Sequence, residues 1–169
     1  MEIEKKFLVK RLPEHLEEYE KKEIEQGYLC THPVVRIRKS NDSFFLTYKS
    51  GPLQEAGTNT RMNQEIEVPL GKEGYYHLRK KVDNHLICKT RYLIPLPDGH
   101  MGELDLFHER LEGLYFIEVE FADKEDAMRF VPPEWFGDNV SQDGRYANSF
   151  LSRCDNLDGF SHDVSNSRE

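Results

Sequence analysis

Charged residues of one sign recur two positions apart in short stretches of this chain. The acidic positions are Glu2, Glu4, Glu65, Glu67, Glu103, Asp105, Glu118 and Glu120, and the basic positions are Lys6, Arg36, Arg38, Lys49, Lys89 and Arg91. Carboxylate oxygens are ligands for hard divalent cations such as Mg²⁺ and Mn²⁺, whereas guanidinium and ammonium groups bind phosphate oxygens. The two sets together predict a site for a compact polyanion and a divalent metal ion.

The spacing of these charged positions is that of a β-strand. Side chains at positions i and i+2 share one face of a strand, about 7 Å apart, and apolar residues such as Ile3, Ile37 and Val119 stand between the charged ones. A charged pair on one strand is also typical of a solvent-exposed face, and this alternative stays open for each strand. The separation of the two signs by strand favours a shared inward site, since an exposed face usually mixes signs.

Alternating runs separated by turn residues predict a mainly antiparallel β protein. The predicted strands cover residues 2–10, 28–39, 43–50, 63–70, 84–95, 101–107 and 114–122. Helices are predicted from about Pro13, over 72–82, from Asp123 to the residue before Pro132, and over 145–154. Residues 1–155 are expected to form one domain, and residues 156–169 a flexible tail.

The helices can cover the apolar strand faces, so the charged faces must point elsewhere. A sheet that curls into a barrel with its charges inward meets this requirement, because about eight strands enclose room for one small ligand. We therefore expect a mainly β (α+β) fold. Its centre would be an eight-stranded antiparallel closed barrel, with helices packed outside and a C-terminal helix.

The composition disfavours several classes of protein. The 169 residues carry a formal net charge of −8, and an acidic surface repels nucleic acids. No apolar run approaches the roughly 18 residues of a membrane-spanning helix, and the charged N-terminus lacks the apolar core of a signal peptide. Cys30, Cys88 and Cys154 show no CxxC spacing, which indicates reduced thiols. We expect a cytoplasmic protein without nucleic-acid or membrane partners.

The first charged stretch, Glu2-Ile3-Glu4-Lys5-Lys6, resembles the ExExK signature of the CYTH, or triphosphate tunnel metalloenzyme, superfamily. Further motifs resemble, in order along residues 1–152, those of its short bacterial members. They are Gln26-Gly27-Tyr28-Leu29, Arg36-Ile37-Arg38, Lys49-Ser50, Glu65-Ile66-Glu67, Lys89-Thr90-Arg91-Tyr92, Glu103-Leu104-Asp105-Leu106-Phe107, Glu118-Val119-Glu120-Phe121 and Pro133-Glu134-Trp135-Phe136-Gly137. The chain departs from the pattern at Ala147, where relatives often carry a basic residue.

The resemblance implies an eight-stranded tunnel in which a triphosphate is processed with a divalent metal ion. It implies that five cations hold the triphosphate: Arg36, Arg38, Lys49, Lys89 and Arg91. It also implies that Mg²⁺ or Mn²⁺ is held by Glu2, Glu4 and Glu120, helped by Asp105 and Glu118. Glu65, Glu67 and Glu103 would line the acidic wall, and Lys6, paired with Tyr28, would be catalytic.

The favoured activity is hydrolysis of inorganic triphosphate (tripolyphosphate) to phosphate and pyrophosphate, because no base or thiamine pocket is evident in the sequence. The resemblance leaves open a class IV-type adenylate cyclase and a thiamine or nucleoside triphosphatase. A non-catalytic protein that binds triphosphate or polyphosphate also stays open, whereas the acidic charge disfavours RNA 5′-triphosphate processing. Both a monomer and a homodimer are compatible with the sequence.

Overall fold

The computed structural model describes residues 2–50, 53–54 and 61–160, which are organised around one antiparallel sheet. The strands are β1 (Glu2–Val9), β2 (Glu20–Thr31), β3 (Val34–Ser40), β4 (Ser43–Lys49), β5 (Leu53–Gln54), β6 (Arg61–Asn63), β7 (Glu65–Pro69), β8 (Asp83–Pro95), β9 (Met101–Phe107), β10 (Tyr115–Glu120) and β11 (Phe136–Asn139). The α-helices are α1 (Lys72–Arg79), α2 (Lys124–Arg129) and α3 (Asn148–Leu151). The prediction of a mainly antiparallel β protein is confirmed.

The strands pair in the order β5-β6-β1-β10-β9-β8-β2-β3-β4-β7, and β11 pairs with β1 outside this path. Among the described residues this hydrogen-bonded path is open, so the sheet is not closed by strand pairing into the expected eight-stranded barrel. The two sides of the path nevertheless meet in one stretch of chain. There β6 pairs with β1, β7 pairs with β4, and only Gln64 separates β6 from β7.

A first apolar cluster packs on the face of β1 that points away from the charged residues. Ile3 and Phe7 alternate with the charged positions of the strand and are buried against Ala127 of α2 and Phe130. Lys5 lies on the same face, where its Nζ donates a hydrogen bond to the Ala127 carbonyl at 2.7 Å. The alternation of apolar and charged residues therefore fixes which face of β1 carries the charges.

A second apolar cluster lies at one end of the charged face. Leu8, Phe107 and Phe116 each stand two positions from a candidate site residue in β1, β9 and β10, and so share its strand face. They pack with the buried side chains of Tyr146 and Leu151. The C-terminal segment is thereby fixed next to the charged residues.

A long strand, β2, forms where a helix was expected after Pro13. Only a short 3-10 turn is present, at Leu16–Glu18. The Glu- and Lys-rich stretch from residue 20 favours a helix in isolation, but every residue from 20 to 26 pairs with β8, and this pairing overrides the local preference. The single strand predicted over 28–39 is instead the hairpin of β2 and β3, which turns at His32 and Pro33.

The remaining helices are found, but they are shorter than expected. α1 ends at Arg79 rather than at 82, and α2 begins after Asp123, whose side chain accepts a hydrogen bond from the Asp126 N–H as predicted. The helix expected over 145–154 is a 3-10 turn at Gly144–Tyr146 followed by α3, because Ala147 between them is extended. In the described part of the chain, no helix has the length and apolar composition to cross a membrane.

Residues 156–160 differ from the flexible tail expected there. Asp158–Phe160 form a 3-10 turn, and Phe160 is buried in the second apolar cluster with its ring 5.3 Å from that of Tyr146. Arg145 also donates a hydrogen bond from Nη1 to the Gly159 carbonyl at 3.0 Å. The remainder of the expected tail, 161–169, lies outside the described residues.

His100 links the turn between β8 and β9 to α2. Its Nε2 lies 2.9 Å from Asp126 Oδ1, and its Nδ1 lies 2.8 Å from Asp98 Oδ2. Nδ1 makes no aligned hydrogen bond, so its contact with Asp98 is mainly electrostatic. Burial alone would lower the pKa of His100, but the hydrogen bond to Asp126 and the two carboxylate charges raise it above 6.5.

We expect His100→Asn to lower Tm more at pH 5.5 than at pH 8.5. Because the pKa of His100 is higher in the folded state, its protonation stabilises the fold. This stabilisation is complete below the unfolded pKa of about 6.5 and is lost as the pH rises through the folded pKa. Thermal unfolding at both pH values measures it, with His77→Asn on the exposed side of α1 as control. An equal loss of Tm at both pH values would contradict the ion-pair account.

Candidate active site

The charged face of the sheet borders a cavity of about 250 Å³. All but three of the residues predicted for the site line it: Glu2, Glu4, Lys6, Tyr28, Arg36, Arg38, Lys49, Glu65, Arg91, Glu103, Glu118 and Glu120. The other three, Lys89, Asp105 and Glu67, are outside the lining. The fold therefore brings together residues from strands that are far apart in the sequence, and the role of each residue remains a prediction.

Strand pairing places carboxylates directly opposite one another. Glu4 in β1 is paired with Glu120 in β10, and Glu118 in β10 is paired with Glu103 in β9. Like charges in these positions destabilise a sheet. Such pairs are therefore difficult to explain by folding alone, and they are typical of a site at which a bound cation offsets the repulsion.

The pKa values of Glu4 and Glu118, two neighbours in this acidic group, shift in opposite directions. Burial, followed by the charges of Glu118 and Glu2, raises the pKa of Glu4 well above its ordinary value. Burial acts in the same direction on Glu118, but the charges of Lys6 and Arg91 outweigh it and hold the pKa of Glu118 well below its ordinary value. The hydrogen bond between the two side chains adds to both shifts, raising the pKa of Glu4 and lowering that of Glu118.

A second acidic contact joins Glu2 to Glu65. Burial, followed by the hydrogen bond with Glu2, raises the pKa of Glu65 to about 7. Lys49 Nζ lies 2.9 Å from Glu2 Oε1 and neutralises part of this charge. The pKa of Glu120 is also raised, by burial and by the charges of Glu2 and Glu103. The lining of the cavity as a whole contains six carboxylates and five lysine or arginine side chains.

The carboxylates that line the cavity fit a divalent cation. They offer only oxygen donors, which hard ions such as Mg²⁺ and Mn²⁺ prefer, and a positive ion would offset the repulsion that contributes to the raised pKa values of Glu4, Glu65 and Glu120. Within residues 2–50, 53–54 and 61–160, no three acidic, histidine or cysteine side chains already form a metal centre.

Arg36 is buried on the basic side of the cavity. Its Nη2 donates to Thr47 Oγ1 at 3.2 Å and lies 3.9 Å from Glu65 and 3.8 Å from Glu67. Its Nε has no hydrogen-bond partner among the described residues. Thr47 Oγ1 in turn donates a hydrogen bond to Glu67, so Glu67 contacts Arg36 from outside the lining of the charged cavity. Glu67 lines a separate acidic cavity together with Glu2, Glu65 and Glu120.

Arg38 lies in a concentration of positive charge. Its Nε donates to Gln26 Oε1 at 2.9 Å. Burial, followed by the charges of Arg36 and Arg91, lowers the pKa of Arg38 to about 9. Cations held this close together favour an anion between them. The unpartnered Nε of Arg36 and the lowered pKa of Arg38 therefore both indicate a site for a polyanion.

Lys89 and Asp105 form a fully buried ion pair outside the cavity lining. Lys89 Nζ lies 2.8 Å from Asp105 Oδ2, and Arg91 donates to the same carboxylate from Nε and Nη2 at 2.7 and 2.9 Å. Both oxygens of Asp105 thus accept hydrogen bonds from cations. The predicted roles of Asp105 toward the metal and of Lys89 toward the triphosphate remain predictions. The alternation of side chains along a strand determines the face on which a side chain lies, but not how deeply it is buried.

Lys6 and Tyr28 both reach the cavity. Lys6 Nζ donates to the Tyr146 carbonyl at 2.7 Å, lies 3.8 Å from Glu118 Oε1 and is 4.4 Å from the centre of the Phe116 ring. Tyr28 is buried, and its position in β2 pairs with Arg36 in β3. Their direct pairing and their catalytic roles remain predictions.

Three residues at the site, Thr47, Gln26 and Asn148, were not predicted from the sequence. Thr47 and Gln26 hold Arg36 and Arg38, and each stands two positions before a candidate, so strand alternation could have identified them. Asn148 also lines the cavity. Strand spacing gives no signal for Asn148, because it lies in the C-terminal segment rather than in the sheet.

Comparison with known proteins agrees with this geometry. No family model matches the chain. The chain is 37% identical over 154 residues to the inorganic triphosphatase of Nitrosomonas europaea, covering 89% of this chain and 96% of that protein. It is 37% identical over 131 residues to an inorganic triphosphatase of Acetivibrio thermocellus, covering 75% of this chain and 77% of that protein.

The fold is also similar to a solved one. The crystal structure of the inorganic triphosphatase NE1496 matches with a TM-score of 0.67 and 35% identity, covering 91% of this chain and 95% of that one. Sequence identity and fold thus agree along nearly the whole chain. The chain therefore belongs to the bacterial inorganic triphosphatases of the CYTH, or triphosphate tunnel metalloenzyme, superfamily.

Proposed function

We propose that this protein hydrolyses inorganic triphosphate (tripolyphosphate) to phosphate and pyrophosphate, with Mg²⁺ or Mn²⁺ as its cofactor. The observation that carries the proposal is one cavity of about 250 Å³ lined by both cations and excess carboxylates. A triphosphate needs the cations, and a metal ion needs the carboxylates. The names of the two relatives reported above support the same substrate.

The sheet is inferred to close around this cavity as a tunnel. Lys49 in β4 lies 2.9 Å from Glu2 in β1, although these strands are not paired with each other. The stretch that contains β6 and β7 contacts the same two strands. Both observations favour a tunnel in which a small polyanion is surrounded by charged side chains.

Four cations are assigned to the triphosphate: Arg36, Arg38, Lys49 and Arg91. Their side chains line the cavity, and Arg36 Nε has no hydrogen-bond partner among the described residues. Arginine presents forked donors that match phosphate oxygens. Lys89 and Asp105 support this group from behind, since Asp105 orients Arg91 through two hydrogen bonds.

The metal ion is assigned to Glu2, Glu4, Glu118 and Glu120, with Glu65 and Glu103 completing the acidic wall. When bound, a divalent cation polarises a phosphoryl oxygen and orients or activates the attacking water. Protons compete with a metal ion for carboxylates, and the raised pKa of Glu4 strengthens this competition.

Hydrolysis transfers a terminal phosphoryl group to water. The water oxygen bonds to the terminal phosphorus, the bond from that phosphorus to the bridging oxygen breaks, and pyrophosphate leaves with the electron pair. The arginines stabilise the charge on the phosphoryl oxygens as the bond breaks. Lys6, with Tyr28, is assigned to the water proton, which Nζ accepts in its neutral amine form.

An organic triphosphate is a second candidate substrate, and one observation favours it. A further cavity of about 740 Å³ shares Val34, Ala147 and Ser149 with the charged cavity and is lined in part by Tyr48 and Phe150. The small side chain of Ala147 lies where the two cavities meet. A group attached to the triphosphate could extend through this opening.

The test is phosphate release from tripolyphosphate, ATP and thiamine triphosphate, each with Mg²⁺, Mn²⁺ or a chelator. We expect metal-dependent release that is fastest from tripolyphosphate, with pyrophosphate as the second product. Faster turnover of ATP or thiamine triphosphate would favour the organic substrate, and cyclic AMP would indicate a cyclase. Tight binding of tripolyphosphate without release would contradict the proposed hydrolysis and indicate a binding protein.

A further inference from the structure

Lys89 joins the sheet to the C-terminal segment. Besides its contact with Asp105, Lys89 Nζ donates a hydrogen bond to Asn148 Oδ1 at 3.3 Å. The Lys89 side chain is fully buried, whereas Asn148 is half-buried and lines the charged cavity. Asn148 therefore stands between a buried cation and the space assigned to the triphosphate.

The chemistry of the two groups fixes the orientation of the Asn148 amide. An ammonium group has only donors, so Asn148 must present its carbonyl oxygen to Lys89. The Nδ2 group, which carries two donors, then points away from Lys89. Among the described residues, the Asn148 side chain makes one hydrogen bond, which its Oδ1 accepts from Lys89 Nζ. Both Nδ2 hydrogens are therefore available to a ligand.

The backbone around Asn148 is held in place on both sides. Lys6 Nζ bonds to the Tyr146 carbonyl at 2.7 Å, and the buried side chains of Tyr146 and Leu151 pack in the second apolar cluster. The side chain is thus fixed by Lys89, and the backbone by neighbours on either side. A fixed donor loses little conformational entropy when it binds a ligand.

We propose that Asn148 is a substrate-binding residue that donates a hydrogen bond from Nδ2 to a phosphoryl oxygen of the triphosphate. Lys89 acts as a positioning residue, because it holds Oδ1 and so turns the donors toward the cavity. The inference rests on the proposed triphosphate hydrolysis and reassigns Lys89, which the sequence places on the phosphate itself. It adds a neutral donor to the four cations that line the cavity.

Asn148→Asp is the sharpest test, because it keeps an oxygen for Lys89 while replacing the Nδ2 donors with an acceptor. We expect KM for tripolyphosphate, and its Kd by calorimetry, to rise at least about tenfold, with kcat changed much less. Asn148→Ala should raise KM by a smaller factor. Asn156→Asp adds the same charge at an exposed position whose Oδ1 accepts from the Asp158 N–H, and we expect unchanged KM.

A double-variant cycle tests the positioning role of Lys89. If Lys89 acts through Asn148, Lys89→Met and Asn148→Ala together should raise KM no more than the larger single effect. Effects that multiply would overturn this role and place Lys89 on the phosphate. Unchanged KM and Kd in Asn148→Asp would overturn the whole inference. Because Asn148→Asp keeps Lys89 paired, this test remains valid even if Lys89→Met fails to fold. Failure of the proposed function would look different from failure of the Asn148 inference, because the wild-type protein would then release no phosphate.

Discussion

Lys6→Met is expected to lower kcat for tripolyphosphate by about 100- to 10,000-fold, the range for loss of a proton-transfer group. Metal-dependent binding of the substrate should change little. Lys6 Nζ lies in the cavity between the Tyr146 carbonyl and Glu118, and methionine retains the length that packs against Phe116. Steady-state kinetics and calorimetric titration of tripolyphosphate separate turnover from binding.

Lys5→Met provides a matched control for this variant. Lys5 precedes Lys6 in the same strand and also donates to a backbone carbonyl at 2.7 Å, that of Ala127. It lies on the opposite face of β1, away from the cavity. We expect Lys5→Met to lose a similar amount of Tm and to keep its kcat. A rise in KM with unchanged kcat in Lys6→Met would reassign Lys6 to substrate holding.

Glu4→Gln is expected to remove the metal dependence and to lower kcat/KM by more than about 100-fold, since even indirect partners of a metal cost 10- to 100-fold. Glutamine can still donate a hydrogen bond to Glu118, the present hydrogen-bond partner of Glu4, so the fold without metal should be retained. The rise in Tm that Mg²⁺ or Mn²⁺ gives the wild-type protein should disappear. Thermal unfolding with and without metal measures this without reference to activity.

The pH dependence of metal binding gives a second measurement on the same variant. Because the pKa values of Glu4 and Glu65 are raised, protons compete with the metal at neutral pH, and metal affinity should increase as the pH rises through about 7. The increase should be smaller in Glu4→Gln. Glu23→Gln, whose carboxylate accepts from Thr90 on the other face of the sheet, serves as control. Wild-type pH dependence in Glu4→Gln would contradict the assignment.

The sequence predicted most strands and the face on which each charged side chain lies. Both follow from alternation, which is local: a residue two positions from Glu4 must share its face whatever the rest of the chain does. The cap of α2 by Asp123 was predicted for the same reason, since its partner Asp126 is three residues away. By contrast, β2 was missed because its pairing with β8 joins Glu20 to Leu93, and no local signal encodes that contact.

The sequence by itself therefore determined which chemical groups share a face, and hence which chemistry is proposed for the site. Only the tertiary structure decided which of these groups reach the cavity. Lys89 and Arg91 stand two positions apart in β8 and carry the same charge, so they share a strand face. Arg91 nevertheless lines the cavity, whereas Lys89 is buried against Asp105 and Asn148. The difference arises from how deeply each strand position is buried in the fold. It also arises from the C-terminal segment, which packs against the sheet and contacts Lys89 through Asn148. Both depend on contacts between residues distant in sequence.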